Sequence, residues 1–455
     1  MNLHALLLQR AAANKPIRIG LIGAGKFGTM FLAQVARTPG MHVVAVADLA
    51  PARVSDALQR VGWPAEKVAA RSCAQALANG STYLTENADE LLAVDEIEVV
   101  IEATGNPAAG VHHALKASAN GKHVVMVNVE ADVLAGPLLA ARAKAANVIY
   151  SLAYGDQPAL ICEMVDWARA AGFDVVAAGK GTKYLPIYHD STPDTVWQYY
   201  GLSAEQAAQG SLNAQMFNSF LDGTKSGIEM AAVANATGLA PPRDGLTFPA
   251  CDVDALPTVL RPRAVGGVLD DKGMVEVVSS LERDGSRLAR DLRWGVYTVF
   301  EAPTDYVMRC FAEYGLKTDE SGRYAAMYKP YHLIGLELGI SIASVALRGE
   351  PTGAPLAWRG DVVATAKRDL AAGEILDGEG GYRVWGKLMP AADSVARGAL
   401  PIGLAHHCRL TRAVVRGAAL TWADVDIDTT QEAVRVRREM EVQFNKSTKG
   451  IGSCM

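Results

Sequence analysis

The sequence predicts an α/β protein in three parts: an N-terminal doubly wound parallel sheet over residues 1–150, a central α+β unit over 151–350, and a small β-rich unit over 351–445. A short tail, 446–455, is expected to be disordered. Three observations predict this. An apolar run, a glycine turn and a helical run follow one another from Ile17. Strand-like and helical runs then alternate as far as Ala153, the pattern of a parallel sheet. Beyond residue 350 a short motif occurs twice. At 455 residues the chain also exceeds what one core supports.

Half of the residues are hydrophobic and a fifth are charged, as in ordinary globular proteins. The net charge of −5 gives no global attraction to nucleic acid or to an anionic membrane, so neither is expected as a partner. An anionic ligand must therefore be held by local Lys and Arg. The six cysteines, Cys73, Cys162, Cys251, Cys310, Cys408 and Cys454, show no zinc or CxxC spacing. Such scattered thiols are expected reduced, in the cytoplasm. The opening MNLHALLLQRAAANKP is too short to span a bilayer and lacks a basic leader. It is expected to be an amphipathic helix on the body of the protein.

The first part opens with the strand Ile17–Ile22, the turn Gly23-Ala24-Gly25-Lys26-Phe27-Gly28 and a helix. A lone GxGxxG is weak evidence, but strand and helix stand where the motif needs them. Gly23 permits the turn, Gly25 lets the backbone approach a pyrophosphate, and Gly28 lets helix and strand pack closely. The helix amino end adds N–H groups and a positive dipole. The next strand ends at Asp48, where a dinucleotide (Rossmann) fold carries its ribose-binding acid. An Asp there favours NAD, whereas Arg53 and Lys26 stand ready for the 2′-phosphate of NADP. Thr104 and Gly105 follow the strand 97–102, and Asn128 and Glu130 follow the strand 122–127. At the carboxyl ends of parallel strands these four are candidates to border the nicotinamide, although capping alone explains Asn128 and Glu130. His112 and His113 are expected to be structural.

In the central part, the strand 173–178 leads into Gly179-Lys180-Gly181-Thr182-Lys183-Tyr184. Two glycines and two lysines at a strand end are expected to form an anion pocket, with an exposed basic turn as the alternative. The connection 185–209, with His189, Asp190 and Trp197, is expected to be an irregular binding loop. Ser211 to Gly238 then read as one helix. Its only charged residues, Asp222, Lys225 and Glu229, fall with Asn218 in one narrow arc at about 100° per residue. Apolar residues flank the arc, as expected for a helix lining a polar cavity; a surface helix with an i,i+4 ion pair is the plainer alternative. Lys329 and His332 precede the apolar run LIGLELGISIASVAL and are expected at a helix amino end. In the last part Lys367–Leu376 echoes Thr411–Leu420 in its Arg, Gly and Leu spacing. Two copies make a small β module and no array.

These stretches resemble known families. GAGKFG, ATGNP, GKHVVMVN and the Gly179–Tyr184 stretch are similar to homoserine dehydrogenase, as is Leu221-Asp222-Gly223-Thr224-Lys225. The C-terminal repeat resembles an SAF (antifreeze-like) module. That combination, with NVEADVLAGPLLA, SLAYGDQPAL, AAGKGTKYLP, MFNSFLDGTKS and GRYAAMYKPYHLIGLE, resembles the DXR-like (DRL) family of 1-deoxy-D-xylulose 5-phosphate reductoisomerases. The resemblance implies an NADPH-dependent enzyme, with NADH as a further cofactor candidate and Mg²⁺ or Mn²⁺ as a candidate cation. It also implies a central catalytic and dimerisation domain, a homodimer and a small phosphorylated substrate in isoprenoid precursor synthesis. Such chemistry needs a phosphate anchor, oxyanion stabilisation and proton transfer. Lys180 and Lys183 are the candidate phosphate holders, and Asp222 and Glu229 the metal ligands or proton carriers. Lys225 would stabilise the oxyanion and His332 would act as acid or base. A homoserine-dehydrogenase-like enzyme acting on another small hydroxy or sugar acid is the alternative. A nucleotide sensor without catalysis is another.

Overall fold

The computed structural model describes residues 2–209 and 212–450, without the side chains of 445–450. Residues Met1–Leu160 and Leu333–Pro355 form one compact unit; Ile161–His332 and Leu356–Met455 form the other.

The first unit is built on six parallel strands: β1 Ile17–Ile22, β2 Met41–Ala47, β3 Tyr83–Thr85, β4 Val99–Glu102, β5 His123–Met126 and β6 Tyr150–Leu152. Their order is β3-β2-β1-β4-β5-β6, the order of a doubly wound dinucleotide-binding sheet. The near-continuous apolar runs in β1, β2 and β4 follow from helices covering both faces of such a sheet. Leu3 and Leu7 of helix Leu3–Ala12 enter this core, together with Leu338, Ile342 and Val345 from the returning segment. The apolar run after His332 does not start a helix there. Residues 334–338 form turns, and the helix starts only at Gly339, running as an α-helix to Ala343 and as a π-helix over Ser344–Arg348. Gly335, with φ +79, lies so close to Phe27 that a Cβ would sit 2.7 Å from its carbonyl oxygen. That close packing, which periodicity does not encode, keeps the chain out of helical geometry.

The second unit holds a mixed sheet of β7 Asp174–Thr182, β8 Met274–Ser279, β9 Val296–Glu301 and β10 Tyr324–Lys329, ordered β10-β9-β7-β8. Farther along, β11 Gly360–Ala366 pairs antiparallel with β13 Val384–Pro390. A three-stranded sheet joins β12 Ile375–Asp377, β14 His406–Leu410 and β15 Val425–Asp426. The repeat explains itself here. Leu370 and Val414, equivalent in the two copies, exchange backbone hydrogen bonds of 2.8 and 2.9 Å. Gly373 N–H donates to Leu410 O, and its mate Gly417 N–H donates to Ala366 O, both at 2.8 Å. Each copy thus pairs with the other about a local two-fold axis.

Three expectations need correction. The segment beyond Leu356 is no separate body, because helix Thr224–Thr237 is inserted between the mixed sheet and the β11–β13 ribbon. The connection 185–209 is not irregular: it contains helices Val196–Tyr200 and Ala204–Gln209, packed through Tyr188 and Val196 against Leu221. The expected disordered tail begins inside helix Glu432–Gly450, while 451–455 lie outside the described residues. That helix is pinned by Arg437, fully buried, whose guanidinium grips Asp361 with bonds of 3.0 and 2.5 Å and lies over Trp358. No helix among the described residues is long and apolar enough to cross a membrane.

Candidate active site

In the first unit the glycine turn has the shape its sequence requires. Gly23 has φ +90, and a Cβ there would lie 2.6 Å from Ala103 O. A Cβ on Gly28 would lie 2.5 Å from Gly23 O, so helix and strand meet only because both residues are glycine. Around Gly25 nothing lies within 4 Å. Gly25 starts helix Lys26–Val35, and no side chain caps its first N–H groups. Open space beside uncapped helical amides fits a pyrophosphate. Asp48 stands just past β2, as expected. Its two carboxylate oxygens accept hydrogen bonds from Ala24 N–H and Ala50 N–H, each 2.9 Å, and Arg53 lies 3.8 Å away with its side chain largely exposed.

The candidates at the ends of β4 and β5 come together. Asn128 caps helix Val129–Ala145 by accepting from Ala131 N–H, and its amide donates to Asn106 O at 2.8 Å. Thr104 Oγ1 donates to Glu102 at 2.6 Å, and His113 meets the same carboxylate oxygen at 3.2 Å. Glu102 was not anticipated: it ends β4 fully buried, with its other oxygen unsatisfied. The apolar strand run hid it. Gly105, with φ +69, has open space around it, and Glu130 is buried in the first turn of the helix that Asn128 caps.

In the second unit the stretch 211–238 is two helices, Ala214–Leu221 and Thr224–Thr237, broken at Asp222-Gly223; Ser211 itself lies outside the described residues. Gly223 has φ +90, and Asp222 turns its carboxylate back to accept from Thr224 N–H at 2.9 Å. The break rotates the second helix relative to the first, so the four polar residues do not share one face. Asn218 Nδ2 donates to Gly380 O at 2.8 Å, and its Oδ1 accepts from Ser191. Asp222, fully buried, forms an ion pair of 2.7 Å with Lys367. Glu229 instead meets Lys180 of β7, both side chains buried. Lys225, at the start of the second helix, is half-buried.

Other candidates also change meaning. Gly179 and Gly181 do not shape an anion pocket. They lie inside β7, where a Cβ would fall 1.8 Å from Glu276 O and 1.9 Å from Leu292 O. Lys180 is already neutralised by Glu229. Lys183 donates to Tyr199 O and lies 5.7 Å from the ring of Tyr200, with Arg293 5.9 Å from the same ring. Burial, then Arg293 and Arg287, lower the Lys183 pKa; burial lifts the Tyr200 hydroxyl to about 12. This is a cation cluster, and the sequence had offered only one of its members. His332 Nδ1 meets Trp294 O at 2.8 Å. Asp222 and Glu229, expected to bind a metal together, each have a lysine instead. Among the described residues no three acidic, His or Cys side chains are grouped to hold a metal ion. This donor set does not fit a divalent cation.

Lys367 is the site residue missed from sequence. Its ammonium, nearly fully buried, donates to Ser191 O and Gly381 O at 2.8 Å each besides pairing with Asp222. One signal was present: Lys367 opens the first repeat copy where its mate is Thr411.

Residues 17–127 match the family described as "Oxidoreductase family, NAD-binding Rossmann fold", and residues 155–338 match "Oxidoreductase DRL, catalytic domain". No match is found among curated proteins. Solved structures that are similar include a probable dehydrogenase from Thermotoga maritima, 15% identical over 73% of this chain and 90% of that one, with a TM-score of 0.37. A homoserine dehydrogenase from Thiobacillus denitrificans is 21% identical over 50% of each chain, with a TM-score of 0.35. The myo-inositol dehydrogenase of Lactobacillus casei, solved with NAD(H) and myo-inositol, is 16% identical over 40% of this chain and 50% of that one, with a TM-score of 0.27. By the two family matches the chain is an oxidoreductase with an NAD-binding domain, followed by a segment similar to the DRL catalytic domain.

One prediction concerns Asp48. If the carboxylate just past β2 meets the ribose, as its place in the fold leads one to expect, it repels a 2′-phosphate. Asp48→Ser is expected to shift the ratio of KM for NADPH to KM for NADH about tenfold towards NADPH, on the order of 1.4 kcal/mol. Steady-state kinetics with both cofactors check it, and an unchanged ratio would remove Asp48 from the ribose site.

Proposed function

We propose that this protein is an NADPH-dependent reductoisomerase that converts 1-deoxy-D-xylulose 5-phosphate into 2-C-methyl-D-erythritol 4-phosphate. The match of residues 155–338 to the DRL catalytic domain carries the reading. The reaction rearranges the carbon skeleton and then reduces the new aldehyde, for which a bound reduced nicotinamide supplies the hydride.

The chain's own residues suit the remaining tasks. Lys183, Arg287 and Arg293 gather positive charge where a phosphate dianion would be held. The depressed Lys183 pKa reports burial first and then repulsion by Arg293 and Arg287, and an incoming phosphate relieves the repulsion. Lys225, on the first turn of its helix, stabilises the developing oxyanion. The Lys180–Glu229 pair, with Glu229 on that same helix and Lys180 on β7, is a buried proton donor and acceptor. No step runs through a metal, because the acids that would bind one are already paired.

The decisive assay follows absorbance of the reduced nicotinamide with deoxyxylulose phosphate and NADPH or NADH, with and without Mg²⁺ or Mn²⁺. No oxidation in any combination would overturn the proposal. In the same assay Lys225→Met is expected to lower kcat about 10²–10³-fold, as loss of one oxyanion donor does, with the Kd for NADPH unchanged. A near-normal kcat would remove Lys225 from the chemistry. The fixed carboxylate of Asp48 favours one further reading, an NAD-dependent dehydrogenase of a small hydroxy acid. Turnover of such an acid, without turnover of deoxyxylulose phosphate, would select it.

A further inference from the structure

We propose that the C-terminal segment completes a binding site for a small amino- or hydroxy-carboxylate with a flat apolar body, and that Lys387 is its charge partner. The site is a half-open cavity of about 240 Å³ within the second unit. One wall comes from the central segment, as His189, Gly223, Gly227 and Phe248; the other comes from β13, as Trp385, Gly386 and Lys387.

The flat surfaces are fixed in place. His189 stacks on Trp385 with centroids 4.1 Å apart and planes 29° from parallel. Phe248 stacks on Tyr184 at 4.0 Å. Both ring nitrogens of His189 are engaged, Nδ1 with Asp222 O at 2.7 Å and Nε2 with the Tyr184 hydroxyl at 2.9 Å. His189 is therefore a wall and not a free acid or base. Aromatic planes framing a cavity of this size suit a ring-sized apolar group.

The polar groups set the rest. Lys387 pairs through its backbone with Val363 across the ribbon, but its ammonium makes no hydrogen bond or ion pair within the described residues, although its strand neighbours Gly386 and Leu388 are buried. Its stem is held against Gly245, where a Cβ would lie 2.9 Å from Lys387 Cε. Gly223, where a Cβ would lie 3.1 Å from His189, keeps the floor low. An unpaired ammonium beside apolar walls calls for a carboxylate. The other charged lining group, Asp244, is exposed at the rim and would accept from an amino or hydroxyl group next to that carboxylate. A sugar phosphate leaves the aromatic walls unused.

Calorimetric titration of the full-length protein with L-phenylalanine, 3-phenyllactate and phenethylamine tests this. At least one of the two acids is expected to bind saturably, and phenethylamine, lacking the carboxylate, is not. Phenylalanine alone would assign an amino acid to the site, and phenyllactate alone a hydroxy acid. Lys387→Met should weaken binding about tenfold or more while thermal melting stays unchanged, and Lys387→Arg should restore it. The proposal fails if neither acid binds, or if Lys387→Met binds as the parent does. Neither result bears on deoxyxylulose phosphate turnover, because no nicotinamide enters the titration.

Discussion

Lys180→Met is expected to destabilise the second unit by about 3–5 kcal/mol, the cost of stranding one member of a buried ion pair. The partner left behind is Glu229, on a helix buried on nearly all sides. A lone carboxylate there must be neutralised or drag water inward, and either outcome shifts the denaturation midpoint. The control is the double variant Lys180→Met with Glu229→Leu, which removes both charges. Replacing a whole buried pair with apolar side chains is often neutral or stabilising. The double variant should therefore regain most of the lost stability, while both single variants stay low. Equal losses in single and double variants would show that the effect is one of packing and not of charge. Activity separates structure from mechanism: a double variant that is stable but inactive would keep the pair in the chemistry.

The second large effect is expected at Lys367. Lys367→Met removes the charge facing Asp222 and the donors for Ser191 O and Gly381 O in one step. A loss of about 3–5 kcal/mol follows on the same grounds. Asp222→Asn in the Lys367→Met background should recover part of it, since an amide is less costly to bury than an unpaired carboxylate. The two unpaired carbonyls keep the recovery incomplete. A denaturant series over parent, singles and double gives the coupling energy directly. No coupling would mean that the ion pair does not hold the C-terminal segment to the helix break. Because Asp222 O also receives His189 Nδ1, the same variants should lower affinity at the cavity of His189 and Trp385.

Much of the first unit was legible in sequence because its information is local. Gly23 takes a positive φ that its own residue type permits, Gly28 meets the carbonyl oxygen of Gly23 just upstream, and Asp48 closes a strand whose length the sequence shows. The repeat at 367 and 411 was legible too, since both copies carry their glycine at the same offset. The candidate site in the second unit was read less well, for a specific reason. Helical-wheel arithmetic assumes an unbroken helix, and Asp222-Gly223 breaks it. Once broken, Asn218 and Asp222 turn to the C-terminal segment and Glu229 turns to β7. The thin polar arc that looked like a cavity wall is a set of buried contacts to two layers. The Gly-Lys-Gly run misled in the same way. Its glycines answer carbonyl groups of β8 and of the chain before β9, roughly a hundred residues away.

Residue order along the chain is enough to specify the doubly wound N-terminal sheet, the glycine turn with the acid past β2, and the duplicated C-terminal element. These rest on spacing along the chain, and short-range sterics enforce them. Which charges meet is set by packing between distant segments: Lys180 with Glu229, Lys367 with Asp222, and Lys183 beside Arg293. A buried ammonium takes whichever carboxylate the packing of distant segments brings within a few ångströms, and no periodicity in the chain records that distance. The same holds for the helix Thr224–Thr237. Its small residues Thr224, Gly227 and Ala231 let the backbone of β11 and β13 approach, and they make sense only against that ribbon.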